Sequence, residues 1–268
     1  MFEGWGIEEV FRFAGELGFD GVEIAPFTLA HSVQDIPQSR RQEIRNSAED
    51  ASMEIVGLHW LLVTPEGLYI NHPDSRIRSA TKDYLCSLIH FCGDLGGKVM
   101  VLGSPKQRNV MPGHTLEETV DWTVEVFRDC AQVAKERGVT LCMEALRPSD
   151  TNFVNTLAEA AQLVEQVGVP SFQLMLDVHA TCGAEQQPVD GLVRNFARLI
   201  RHVHVNDANG RGPGFGDVDF VPILGALVDI GYEGFASIEV FDYKPDPETI
   251  ARESLSYLRK CLSGTASR

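Results

Sequence analysis

Residues 172–177 read FQLMLD and residues 201–207 read RHVHVND. Each run is short, rich in aliphatic side chains, and carries an acid or a histidine near its end. Side chains along a strand alternate between two faces. Asp177 therefore shares a face with Met175, and Leu174 and Leu176 take the other. His204 likewise falls with His202, opposite Val203 and Val205. The same arrangement recurs in TLCMEA (140–145), where Glu144 lies with Cys142 against Leu141 and Met143. It recurs again in FASIEVF (235–241), where Glu239 lies with Ser237 against Ile238 and Val240. The aliphatic face suits a layer between strands and covering helices, so the mixed polar face must point to a separate interior.

Three earlier runs complete the series: GVEIA (21–25), EIVGLHW (54–60) and KVMVLG (98–103). Stretches of helical period lie between the runs, such as EEVFRFAGELG (8–18), SATKDYLCSLIHFCGDLGG (79–97) and LEETVDWTVEVFRDCAQVAKERG (116–138). Gly18, Gly138, Gly168 and Gly231 stand where left-handed helix caps are expected. Regular strand–helix alternation means parallel strands joined by crossover helices. An open doubly wound sheet and a closed barrel both satisfy that alternation. Parity favours the barrel, because only there can four neighbouring strand ends surround one point. No linker rich in Pro, Ser or charge divides the chain, so residues 1–268 are expected to form a single TIM-type (β/α)8 barrel domain.

The start of the chain departs from that pattern. Only MFEGWG precedes the first helix, and Phe2-Glu3-Gly4-Trp5 reads as a loop. The expectation is therefore a barrel whose first strand is missing from this chain, with a gap between GVEIA and FASIEVF.

Bulk properties restrict the function. A net charge of −15 argues against nucleic acid as a partner, since phosphate binders carry a basic face. No stretch approaches the roughly 20 apolar residues of a membrane span. The N-terminus lacks a basic segment followed by an apolar one, and a cytoplasmic location is expected. The six cysteines form no CxxC pair and read as free thiols.

Glu144, Asp177, His204 and Glu239 are separated by 33, 27 and 35 residues, each about one strand–helix unit. Any one of them alone would read as a polar residue facing solvent at a strand end. Together, at the C-terminal mouth of a barrel, they read as ligands of one divalent metal ion. Three carboxylates and one imidazole favour Mn²⁺, Mg²⁺ or Co²⁺, with Zn²⁺ also compatible.

Those four anchors, MEAL around Glu144, LMLDVHA around Asp177, HVHVND around His204 and SIEVF around Glu239, resemble the xylose-isomerase-like barrel superfamily over nearly the whole chain. Its members include D-tagatose/D-psicose 3-epimerases, hydroxypyruvate isomerase, inosose isomerases and dehydratases, and endonuclease IV. The resemblance implies that the four residues hold the metal and that Glu144 and Glu239 also serve as acid and base. Two positions depart from the family. Members often carry Asp-x-x-His after a ligand strand, whereas His179 follows Asp177 by two. Six residues past the first ligand, where the epimerases place a substrate-contacting Glu, this chain has Asp150.

Further substrate-binding candidates are His59, Arg147, Asp150, His179, Asn206 and Arg211. Arg211 sits in a glycine-rich loop, DANGRGPGFGDVDF (207–220), read either as an anion site or as a lid. His202 is read as a packed interior residue, and Lys106 and Arg108 as solvated surface. Glu23 has interior parity and needs a partner, either in the site or in a structural polar network. The expected activity is metal-dependent isomerisation or epimerisation of a small keto-sugar or related 2-hydroxycarbonyl compound through an enediolate. Alternatives are a metal-dependent dehydratase of an inosose- or dehydroshikimate-like substrate and a metal-free binding barrel. Homo-oligomerisation is compatible with either.

Overall fold

Seven parallel strands lie side by side in chain order: β1 (Gly21–Ile24), β2 (Glu54–Leu58), β3 (Val99–Leu102), β4 (Thr140–Glu144), β5 (Phe172–Asp177), β6 (Ile200–Val205) and β7 (Ala236–Ile238). The computed structural model describes residues 1–2 and 4–265. Helices α1 (Ile7–Leu17), α2 (Gln38–Asp50), α3 (Ser75–Leu95), α4 (Leu116–Arg137) and α5 (Leu157–Val167) alternate with the first five strands. Helices α6 (Val178–Ala184) and α7 (Val189–Asn195) join β5 to β6, α8 (Phe220–Asp229) joins β6 to β7, and α9 (Pro247–Thr265) follows. The result is a nearly closed barrel of the TIM type, with helices outside and strand ends converging at one mouth.

Local sequence explains the helix boundaries. Thr115 and Thr156 open α4 and α5 with reciprocal capping boxes to Glu118 and Glu159. Gly18, Gly138 and Gly168 close α1, α4 and α5 in the left-handed conformation, at φ 86°, 65° and 67°. Helix α2, QSRRQEIRNSAED, buries only Ile44 and Ala48, so its periodicity is faint in the sequence.

The two strand faces build two apolar layers. Leu141, Met143, Leu174, Leu176, Val203 and Val205 join the large core between strands and helices. Val101, Cys142 and Met175 form a separate small cluster inside the barrel. That separation places the face carrying Glu144, Asp177 and His204 toward the barrel axis. All six cysteines are free thiols. Among the described residues no helix is long and apolar enough to cross a membrane.

β1 and β7 are the two edges of the sheet, and among the described residues no ladder joins them and no strand precedes α1. Phe2 and Trp5 instead pack on Phe13 of α1, with ring centroids 5.7 and 5.4 Å away. Glu3, part of the segment expected to be a loop, lies outside the described residues. Side chains bridge the seam. Phe235, just before β7, packs near Gly21 of β1, where a Cβ would lie 3.2 Å from its ring. Arg259 of α9 donates to the Gly18 carbonyl at 2.6 Å, tying α9 to the end of α1.

Candidate metal centre

Parallel register brings the chemistry together. Asp177 at the end of β5 lies beside His204 of β6, and His204 lies beside Ser237 of β7. Glu144 ends β4 and Glu239 directly follows β7. One donor atom from each of Glu144, Asp177, His204 and Glu239 falls within 4.8 Å of the others. Donors around one divalent ion at roughly 2.1 Å lie up to about 4.2 Å apart, so a contraction of a few tenths of an ångström would seat an ion. The donor set, three carboxylates and one imidazole, is that of a hard divalent ion. By chemistry and spacing the four residues fit the metal.

Electrostatics point the same way. Burial, reinforced by the charges of Asp177 and Glu239, pushes the Glu144 carboxyl well above its ordinary value. Burial and Glu239 raise Asp177 too. Burial would also raise Glu239, but the His204 charge and hydrogen bonds from His204 and His59 outweigh it and hold that carboxyl low. Burial disfavours the His204 cation, yet the carboxylates of Glu23 and Glu239 carry its pKa well above the ordinary imidazole value. A cluster of buried acids short of positive charge is what a divalent cation would neutralise.

Neighbouring groups fix each donor. Asp177 Oδ1 caps α6 by accepting from the Ala180 amide at 2.6 Å, and Oδ2 accepts from Asn206 at 2.7 Å. Asn206 in turn accepts from the His179 amide at 2.7 Å, so it orients a donor residue. Glu239 Oε1 faces His59 Nδ1 at 3.1 Å and accepts from the Trp60 indole at 2.8 Å, while Oε2 faces His204 Nδ1 at 2.9 Å. Glu144 lies against Gly103, where a Cβ would sit 1.9 Å from Oε2.

The remaining candidates are placed as follows. Arg147 and Asp150 form a bidentate pair at 2.8 and 3.0 Å. The His179 ring donates from Nδ1 to the Ala208 carbonyl at 2.9 Å and packs beside Phe241. Arg211 donates to the Lys244 carbonyl at 2.6 Å and lies over the Phe215 ring. Its loop is pinned as well, since the Phe241 and Asp242 amides both donate to the Gly210 carbonyl. Lys106 is exposed, as expected.

Arg108 is the correction. Expected at the surface, it is 1% exposed and donates to the carbonyls of Leu102, Glu144 and Val154. It turns inward to these carbonyls, at and beyond strand ends, and to the Met143 sulfur. Trp60 went unremarked in the sequence. Its backbone is left-handed at φ 54°, rare for a bulky residue, and its indole is 44% exposed beside Glu239. A strained aromatic anchored on a functional acid has no sequence signal beyond its adjacency to His59.

Comparison with known proteins identifies the fold family. The sequence model of the xylose isomerase-like TIM barrel family matches residues 11–261. Over 268 residues the chain is 25% identical to fructoselysine 3-epimerase of Shigella flexneri, covering 96% of this chain and 93% of that protein. It is 33% identical to D-psicose 3-epimerase of Ruminiclostridium cellulolyticum over 129 residues, which span 47% of this chain and 44% of that one. The crystal structure of 3-keto-D-glucoside 4-epimerase from E. coli superposes with a TM-score of 0.84 at 22% identity, covering 97% of this chain and 96% of that one.

Proposed function

Because the chain belongs to the xylose isomerase-like TIM barrel family, we propose that it is a metal-dependent epimerase or isomerase of a keto-sugar. The relatives share a chemical logic. A 4-epimerase of a 3-keto sugar inverts the carbon beside the ketone. A 3-epimerase of D-psicose does the same beside a C2 ketone. Both reactions remove and return the proton on a carbon next to a carbonyl.

The convergence of Glu144, Asp177, His204 and Glu239 within 4.8 Å carries the reading. A bound divalent ion there supplies Lewis-acid polarisation of the substrate carbonyl and its neighbouring hydroxyl. The chain supplies the proton chemistry. Glu239, held ionised by its donors, is the base: it takes the proton from the carbon beside the carbonyl, the C–H electron pair forms a C=C bond, and the carbonyl π pair moves onto its oxygen. Glu144, the second glutamate of the set, delivers a proton to the opposite face. Delivery to the same carbon gives the epimer; delivery to the former carbonyl carbon, with the neighbouring hydroxyl's proton passing to the former carbonyl oxygen, gives the aldose–ketose isomer. His59 and Trp60 aim Glu239, while Asn206 aims Asp177. His179, Arg147 and Asp150 are the candidate substrate contacts beyond them.

The test is proton exchange. The protein, loaded with Mn²⁺, is incubated in D₂O with D-fructose, D-tagatose, D-psicose and a 3-keto-glucoside, and the sugars are read by proton NMR. Deuterium at the carbon beside the ketone, with a new epimer or isomer, is the expected result. New ultraviolet absorbance would instead mark dehydration. A metal-loaded protein that exchanges no proton of any of these sugars overturns the proposal.

A further inference from the structure

Outside the four candidate ligands, one more buried carboxylate among the described residues shares the cluster with His202 and His204. Glu23 of β1 has a side chain 6% exposed and reaches β6 from the other edge of the open sheet. Its Oε1 lies 2.5 Å from His202 Nε2, and its Oε2 lies 3.1 Å from His204 Nε2. Both imidazoles are 1% exposed, and Nδ1 of His202 has no partner.

The consequence for His204 follows from its two nitrogens. A carboxylate at Nε2 requires a proton there. With Nε2–H given to Glu23, Nδ1 is the nitrogen left to face Glu239 at 2.9 Å and Asp177 at 3.8 Å. Nδ1 is therefore the donor aimed at the candidate metal position. We propose that Glu23 is a positioning residue for the metal ligand His204: it fixes which nitrogen is free and locks the ring's rotation. The bond also does what the missing ladder between β1 and β7 cannot, tying one sheet edge to the strand that carries a ligand. Carboxylates behind metal-bound imidazoles raise metal affinity by about 10–100-fold. This proposal rests on the metal reading above.

A purely structural account competes with it, in which Glu23 merely satisfies buried His202. Three variants separate the two: Glu23→Leu, Glu23→Gln, which can accept from only one of the two imidazoles, and His202→Phe, which removes the other partner and leaves the bond to His204. Mn²⁺ affinity is read by electron paramagnetic resonance of the free ion, with circular dichroism reporting the folded fraction. Glu23→Leu is expected to weaken Mn²⁺ binding by about 10–100-fold, Glu23→Gln by less, and His202→Phe little. If Glu23→Leu does not fold, Glu23→Gln, matched in shape, carries the comparison with His202→Phe. Folded Glu23 variants that bind Mn²⁺ as the parent does, or a His202→Phe variant that loses as much affinity as they do, overturn the positioning role alone. A parent chain that binds no Mn²⁺ overturns the metal reading and this inference with it.

Discussion

His204 Nδ1 and Glu239 Oε2 face each other at 2.9 Å, and in the proposed site the same two atoms turn toward one metal ion. Without the ion, a proton between them provides the attraction. Burial and the charges of Asp177 and Glu239 also favour the protonated form of Glu144 nearby. Metal binding must displace protons of this kind.

Mn²⁺ uptake is therefore expected to release about one proton or more per ion near neutral pH. Isothermal titration in two buffers of unlike ionisation enthalpy measures the number directly. Heats that do not depend on the buffer would show that no proton occupies the site.

Glu144→Gln and Glu239→Gln each keep the side chain's shape and remove its proton chemistry. Loss of general acid or base catalysis typically costs about 10²–10⁴ in rate. Each variant is expected to lower turnover of the identified sugar by that order, with Mn²⁺ content measured alongside to separate chemistry from binding. Full turnover in either variant sinks the assignment of two glutamates.

The barrel and the ligand set were legible because period-two alternation reports directly on which face a residue takes. Leu174 and Leu176 against Asp177, or Val203 and Val205 against His204, specify inside and outside without any tertiary knowledge. The seam was legible too, as an absence of any apolar run ahead of α1. Arg108 was not, because nothing local marks a loop arginine that turns inward to buried carbonyls. Nor was the partner of Glu23, since its contacts to His202 and His204 lie about 180 residues away along the chain. Nor was the anchoring of the Arg211 loop, since its glycines do not foretell that the Gly210 carbonyl is bonded twice to residues after β7.

Gly103 offers a test of packing at the ligand itself. A Cβ there would lie 1.9 Å from Glu144 Oε2, so the Gly103→Ala variant must push the carboxylate aside. Weaker Mn²⁺ binding and lower turnover are expected, with little change in the melting temperature of the metal-free protein, since the displaced group lies at the barrel mouth. A variant with parental Mn²⁺ affinity would mean that Glu144 binds from another rotamer.

Arg108→Met keeps an unbranched side chain and removes donors to the carbonyls of Leu102, Glu144 and Val154, at 3.2, 2.7 and 3.3 Å. The Val154 carbonyl keeps the Leu146 amide at 3.1 Å, while the loss of a donor at each of the other two costs roughly 1–3 kcal/mol, partly relieved where water enters. A loss of about 3 kcal/mol in denaturant unfolding is the expected outcome. Loss under about 1 kcal/mol would place these carbonyls in contact with solvent.

The last prediction concerns pH. Glu144 and Asp177 lie above their ordinary values of 4.5 and 3.8, so their contribution to stability is present below those values and is lost as pH rises through the folded ones. His204, raised above its ordinary 6.5, acts in the same direction on the alkaline side. Glu23 and Glu239 are held below 4.5, so what they contribute is present above that value and fades as pH falls through their folded ones. The metal-free protein is therefore expected to be most stable in the mildly acidic range and to lose stability toward alkaline pH. A bound divalent ion takes over from the departing protons, and it binds more tightly as they leave. The gap in melting temperature between Mn²⁺-saturated and chelator-treated protein is thus expected to widen from about pH 6 to about pH 9. Calorimetric scans across that range decide the matter, and a gap that stays constant or narrows would mean that these carboxyls do not share their site with the ion.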